Sequence, residues 1–398
     1  MDETLKNLKK MVSERIDAER EQPEDEIYEL IDEVMHEYRS KRLLGVSEKI
    51  EYRKRIFNDI KRLDILQELI DDDSVTEIMV NGPDAVFVER EGRIFRWNRQ
   101  FESEKHLSDL VQRIAAASNK IINESVPIVD TRLSDGSRVN LVMSPVAING
   151  PIITIRKFYD TPLSIEKMIE FGSISREAAE FLKRLVEARL NIFISGGTGS
   201  GKTTFLNVLS NYIPSDERVI TIEDAAELKL MNIDNLVRLE ARNANIEGRN
   251  AVTIRDLIRS ALRMRPDRII VGEVRGAETI DMLQAMNTGH QGSLSTGHSN
   301  GPKEMLSRLE TMVMMGMDMP VTAVRSQIAS AIDIIVHLGR LRDKSRRVLS
   351  ISELDGISDG EIQLNTLYEF EEEGEDEKQK IVGTLRRTEN TFIRADRL

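Results

Sequence analysis

The sequence predicts an α/β protein: a mostly parallel sheet covered by helices on both faces, preceded by a smaller α+β module and a helical arm. Three observations predict it. Short, almost wholly apolar runs, NIFIS (191–195), VITIE (219–223), RIIVGE (268–273) and IDIIVHL (332–338), are separated by helical or loop segments, as strands buried on both faces are. A glycine-rich loop, GGTGSGKTT, stands between the first of these runs and a good helix, FLNVLSNYI. Upstream of them apolar and polar residues alternate, the rhythm of strands with one face in water.

Residues 1 to about 62 have one proline, Pro23, and no glycine before Gly45, and Ile27, Leu30, Ile31 and Val34 recur at helical spacing. A helical region is expected. Its charge separates, acidic around 24–37 and basic around 53–62, which suits solvated helix faces or a docking arm. From Val75, EIMVNGP and AVFVEREGRIFRW read as strands with Glu91-Gly92 at a hairpin tip. A helix from Glu104 to about Ser118 and strands in SRVNLVMSPV and IITIRKF complete an α+β domain over 63–160. Residues 161–175, with Pro162 and Gly172, read as a linker. The second domain, 176–368, opens with a helix to about Leu190 and continues through the apolar runs and a weaker strand in GSLST. VLSISEL and EIQLNTLYEF read as an antiparallel edge. The stretch 369–398 is expected to be a loop and tail, because Glu369 to Glu377 is too acidic to pack.

A chain of 398 residues is too long for one ordinary core. It carries 56 Lys+Arg against 68 Asp+Glu, net −12, with 5% aromatics; this disfavours nucleic acid, which needs clustered cations and stacking rings. With no cysteine, disulfides, thiolate catalysis and Cys-ligated metals are excluded. The start, MDETLKNLKK, has no signal-peptide pattern, and no apolar run approaches the ~18 residues of a membrane span, so a cytoplasmic chain is expected.

GGTGSGKTT matches G-x-x-x-x-G-K-[ST] over Gly196, Gly197, Thr198, Gly199, Ser200, Gly201, Lys202, Thr203 and Thr204. Glycines let main-chain N–H groups close around a β-phosphate, Lys202 neutralises phosphate oxygens, and the Thr203 hydroxyl ligates Mg²⁺. ATP with Mg²⁺ is therefore the expected ligand. Carboxylates at neighbouring strand ends must serve the metal and the attacking water. In RIIVGEVRG, Glu273 is assigned to polarise the water; Gly272 stands where the usual Walker B pattern has Asp. In VITIEDAAEL, Glu223 and Asp224 are expected to position Mg²⁺ and water, with Asp224 on the metal. His290 and His298 lack metal-ligand spacing; they suit either phosphate sensing or hydrogen-bonded structural roles. Six methionines in EMLSRLETMVMMGMDMP suit core packing or an adaptable interface.

The ordered set GGTGSGKTT, TIEDAAEL, RIIVGEVRG and TGHQGSLSTGHSN resembles the secretion ATPase superfamily, over residues 62 to 345. The blocks SRVNLVMSPVAINGPIITIRKF, RMRPDRIIVGEVRG and VRSQIASAIDIIVHLGRL look most like its CpaF/TadA branch, which drives Flp/Tad pilus assembly, and the missing cysteines remove the zinc subdomain of the type II branch. The resemblance implies a RecA-like P-loop domain, a PAS-like N-terminal domain and a homo-hexameric ring. It implies inner-membrane platform proteins as partners, pilin-like cargo reached through them, and peripheral placement at the inner face of the cytoplasmic membrane. It also implies that Arg138 and Arg156 contact the phosphates and that His298 serves catalysis, with Arg263, Arg265 and Arg275 as further cations near the site. A type IV secretion ATPase is the alternative. A RecA-like nucleic-acid translocase and a regulatory ATP-binding protein are disfavoured.

Overall fold

The computed structural model describes all residues except 1–2, 17–19, 21, 39–43, 91, 158–162, 243, 245–248 and 378. The chain forms two compact units, residues 1–159 and 160–398.

In the first unit, α1 (Glu3–Ser13), α2 (Glu24–Tyr38) and α3 (Val46–Lys61) pack around Leu8, Val12, Ile31, Val34 and Ile56. These apolar residues recur every three or four positions, so each helix has one face to bury. After the short α4 (Gln67–Ile70) come β1 (Val75–Asn81), β2 (Val86–Arg90), β3 (Arg93–Arg96), α5 (Glu104–Ala117), β4 (Ile128–Arg132), β5 (Arg138–Val142) and β6 (Ile152–Arg156). The strands form one antiparallel sheet in the order β3-β2-β1-β6-β5-β4. Leu107, Leu110, Val111 and Ile114 of α5 join its core, and Ser103 caps the helix by accepting from the His106 N–H. Glu91 and the expected domain boundary at 158–162 lie outside the described residues.

A half-buried charge cluster ties the arm to this sheet. Lys9 of α1 lies 3.3 Å from Asp59 of α3 and 3.0 Å from Glu102, and His106 of α5 lies 2.7 Å from Asp59 and 3.6 Å from Asp64. The ligand atoms of Asp59, Asp64 and His106 fall within 4.8 Å of one another, and Lys9 supplies their cation. The Asp59 hydrogen bond raises the His106 pKa against the opposing effect of burial, and burial raises that of Asp64. The folded state therefore favours charged His106, a contribution complete below its unfolded pKa of about 6.5 and lost as pH rises through the raised value. The melting temperature of the protein should fall by a few degrees between pH 6 and pH 8, and the dependence should flatten in His106→Gln. An equal slope in the variant would refute this.

The second unit runs α6 (Ile165–Glu170), α7 (Arg176–Glu187), β7 (Ile192–Gly196), α8 (Lys202–Ser210), β8 (Val219–Glu223), β9 (Leu236–Glu240), α9 (Ile254–Ala261), β10 (Arg268–Val271), α10 (Glu278–Asn287), β11 (Leu294–His298), α11 (Pro302–Gly316), α12 (Val321–Ala331), β12 (Ile334–Arg340), β13 (Arg346–Ser358), β14 (Glu361–Glu375) and β15 (Ile381–Arg387). Its sheet has the order β15-β14-β13-β12-β7-β11-β10-β8-β9, parallel from β12 to β9 and antiparallel from β12 to β15. Side chains alternate between two cores: Ile192, Ile194 and Ile270 enter one, Phe193, Ile269 and Val271 the other.

Three expectations are corrected here. Among the described residues of the expected linker, α6 is helical, and Ile165 and Met168 on it and Ile174 beyond it are buried in the core of the second unit. The acidic run is not a loop: β14 continues to Glu375 and pairs with β15. Main-chain hydrogen bonds hold the strand while its carboxylates meet Arg342, which contacts Glu372 and Glu375, and Arg386, which contacts Glu371 and Glu373. Nor is the C-terminus a free tail, since Phe392 is buried and Arg394 and Arg397 pair with Glu353 and Asp333. The methionines divide: Met305 and Met312 are buried, whereas Met314, Met315 and Met317 are exposed.

Candidate active site

β7 ends at Gly196 and α8 starts at Lys202, with a tight loop between them. Gly199 and Gly201 have φ of 71° and 92°, left-handed values that a side chain would strain, and a Cβ on Gly196 would run into the Leu338 carbonyl. The main chain is therefore bare, and its N–H groups and the α8 dipole make a cradle for an anion. A nucleotide's phosphates fit this cradle. Ser200 Oγ closes the loop by donating to the Gly197 carbonyl at 2.9 Å. Thr203 lies half-buried in the first turn of α8, and Thr198 and Thr204 are exposed.

Lys202 is buried. Its ammonium donates to the Gly197 carbonyl at 3.0 Å and stands 3.1 Å from His298 Nδ1. On the far side of the ring, Nε2 is 3.1 Å from Glu273 Oε1. Glu273 Oε2 accepts from Arg275 at 3.0 Å, and Arg275 reaches Asp224 at 3.7 Å. Lys202, His298, Glu273, Arg275 and Asp224 thus form one contact chain across the carboxyl ends of the parallel strands, where open α/β sheets bind ligands. Burial lowers the His298 pKa, with Lys202 and Arg275 acting in the same direction and Glu273 opposing. The ring is then neutral, and the Lys202 contact at Nδ1 assigns its proton to Nε2, facing Glu273.

Glu223 stands apart from this chain. Its buried carboxylate accepts main-chain N–H groups of Glu227 at 2.8 Å and Leu228 at 3.1 Å, which fixes the turn after β8, and burial raises its pKa. It also accounts for Gly272: a Cβ there would lie 3.0 Å from Glu223 Cγ, so the place of the usual Walker B Asp is taken up by the neighbouring strand. The two histidines part ways, because His290 Nδ1 is only hydrogen-bonded to the Ala285 carbonyl at 3.3 Å, whereas His298 joins the cradle. Arg138 and Arg156, in the first unit, are direct partners across β5 and β6, with Arg132 next in line on β4 and Glu77 of β1 opposite Arg156 on the other side. Arg263 and Arg265 are exposed and Arg275 belongs to the contact chain.

The sequence reading missed a second layer behind the loop. Arg346 Nε donates to the Gly199 carbonyl at 2.9 Å, Arg340 is its direct partner across β12 and β13, and buried His337 lies 2.9 Å from Ser195. These residues follow the loop by more than a hundred positions, and only the β7–β12 pairing brings them to it.

Residues 59–389 match the family model "Type II/IV secretion system protein". A Mycobacterium tuberculosis protein named for conjugal transfer is 36% identical over 332 residues, 82% of this chain and 94% of that one. The type IV secretion system protein VirB11 of Brucella abortus is 33% identical over 303 residues, 69% and 84% of the two chains. Among solved structures, the ATPase DotB of Legionella pneumophila matches with a TM-score of 0.51 at 25% identity, covering 71% of this chain and 78% of its own. The pilus retraction motor PilT, solved with ADP, matches with a TM-score of 0.53 at 21% identity, covering 77% and 82%. Fold and cradle are together those of a RecA-like P-loop ATPase. The chain belongs to the type II/IV secretion system protein family.

Proposed function

We propose that this ATPase works as a homo-hexameric motor at the inner face of the cytoplasmic membrane, where ATP hydrolysis drives Flp/Tad-type pilus assembly or protein secretion through inner-membrane platform proteins. The observation that carries this reading is the contact chain from Lys202 through His298, Glu273 and Arg275 to Asp224. It links the phosphate cradle to three other strand ends, so that cleavage of the terminal phosphate changes the charge the whole chain must balance. The main chain of 196–204 and Lys202 hold the phosphates. Glu273 takes a proton from the attacking water as its oxygen bonds to the terminal phosphorus and the bond to the ADP oxygen breaks. Thr203 and Asp224 are assigned to hold Mg²⁺, which would neutralise phosphate oxygens. Arg138 and Arg156 are assigned to phosphate contacts as well.

The CpaF/TadA branch is supported by the three sequence blocks named above and by the absence of cysteine. A type IV secretion role is the second reading, favoured by the similarity to VirB11. No helix among the described residues is long and apolar enough to cross a membrane. The full chain with MgATP should release phosphate continuously and sediment as six 45.3-kDa chains, and platform proteins should recruit it to vesicles. A monomer without turnover would overturn the reading, and stimulation by DNA would favour a translocase.

A further inference from the structure

We propose that Thr296 is a positioning residue for hydrolysis, fixing Glu273 against His298 at the carboxyl ends of β10 and β11. The parallel ladder between these strands stops at the pair Val271 and Ser295, and Glu273 lies two residues beyond it, where the chain has left the sheet. Thr296 takes over from the ladder there. Its hydroxyl donates to the Gly272 carbonyl at 2.8 Å, and its own carbonyl accepts the Val274 N–H at 3.0 Å. One residue of β11 thus holds the chain on both sides of Glu273. From the opposite side, the Ile222 carbonyl of β8 accepts the Gly272 N–H at 2.8 Å, so the approach to Glu273 is tied to both neighbouring strands.

Thr296 is 1% exposed, and Gly272 is buried as well. Water is therefore not at hand to replace the hydroxyl, and a Gly272 carbonyl that loses its donor must turn toward another. Turning that carbonyl rotates the peptide leading into Glu273. Side chains alternate along a strand, so Thr296 and His298 project to the same side of β11. The residue that holds the chain around Glu273 thus stands one repeat before the ring that lies 3.1 Å from Glu273 Oε1, and it is the common reference for carboxylate and ring. The phosphates are held by the 196–204 main chain and Lys202, which neither Thr296 bond involves, so loss of the hydroxyl displaces Glu273 and leaves nucleotide binding in place. A displacement of about 1 Å can cost ~100-fold in rate.

The inference rests on the proposed role of Glu273, and variants of the full chain separate the two. Val at 296 keeps the shape of Thr, the strand and the Val274 bond and removes only the hydroxyl, whereas Ser keeps the hydroxyl and removes only the methyl. Thr296→Val should lower kcat by about 10- to 100-fold, with KM for ATP and fluorescent-ADP affinity within about twofold of the parent; Thr296→Ser should retain most of the rate. Parent kcat in Thr296→Val, or equal losses in both variants with ADP binding intact, would overturn the proposal. Should the Val variant melt early, Thr296→Ala against Thr296→Ser decides: both lack the methyl and only Ala lacks the hydroxyl, so a lower kcat in Ala supports the grip and equal rates overturn it. Action through Glu273 also requires non-additivity: added to Glu273→Gln, the Val substitution should cost less than about threefold of the residual rate, and a full second loss would overturn the proposal. Glu273→Gln alone is the control, since full turnover there removes the role of Glu273 itself, whereas lost turnover there beside an active Thr296→Val removes only the grip.

Discussion

Lys202→Ala is expected to abolish ATP turnover, a loss of about 1,000-fold or more, while the protein stays folded. The ammonium is buried, donates to the Gly197 carbonyl and stands beside the His298 ring. A cation taken this far out of water is stabilised by the arrival of an anion. Its compensation comes from phosphate oxygens, so the loss falls on nucleotide binding and on the transition state, where negative charge spreads over those oxygens. In the folded protein without nucleotide the substitution removes a buried charge together with its hydrogen bonds, opposing effects that should keep the melting temperature within a few degrees of the parent. The discriminating measurement is the nucleotide-dependent shift: ADP with Mg²⁺ should raise the melting temperature of the parent and hardly move that of the variant. An active variant, or an equal ADP shift in both, would remove Lys202 from the cradle.

What could be read from the sequence was what is contiguous along the chain. The cradle is nine consecutive residues whose strand, glycines and helix announce themselves, and in the structure they run from the end of β7 into the first turn of α8. Glu273 and His298 were also legible, because apolar runs point to strand ends and strand ends in a parallel sheet share one edge. Glu223 shows the limit: it ends a buried strand as Asp224 begins the next turn, and nothing local tells which carboxylate bonds the main chain and which meets Arg275. The acidic run failed for a related reason. Composition suggested solvent, but a paired strand needs only main-chain partners, and Arg342 and Arg386 come from elsewhere in the unit. β4 and β9 were missed as short strands of mixed polarity, and Arg340, Arg346 and His337 owe their places to strand order alone.

Glu273→Gln should retain nucleotide binding and lose hydrolysis, by about 100- to 10,000-fold in kcat. The amide keeps the size of the carboxylate and can still accept from Arg275, so the chain of contacts keeps its geometry; what it cannot do is take a proton. Glu273 has two oxygens with different neighbours. Oε2 receives the Arg275 guanidinium, whereas Oε1 is buried beside His298 without a well-aligned hydrogen bond, so it is the oxygen with capacity left for a water. A neutral His298 reinforces this assignment, since a charged imidazolium beside Oε1 would oppose protonation of the carboxylate. In the Gln variant His298 loses the charge that raises its pKa and stays neutral to lower pH, so any fall in rate caused by protonation of His298 should move to lower pH than in the parent. KM for ATP should change by no more than about threefold, because the phosphates are held by the 196–204 main chain and Lys202. A variant with parent kcat would transfer the proton-accepting role elsewhere, and a rise in KM at constant kcat would make Glu273 a binding group instead.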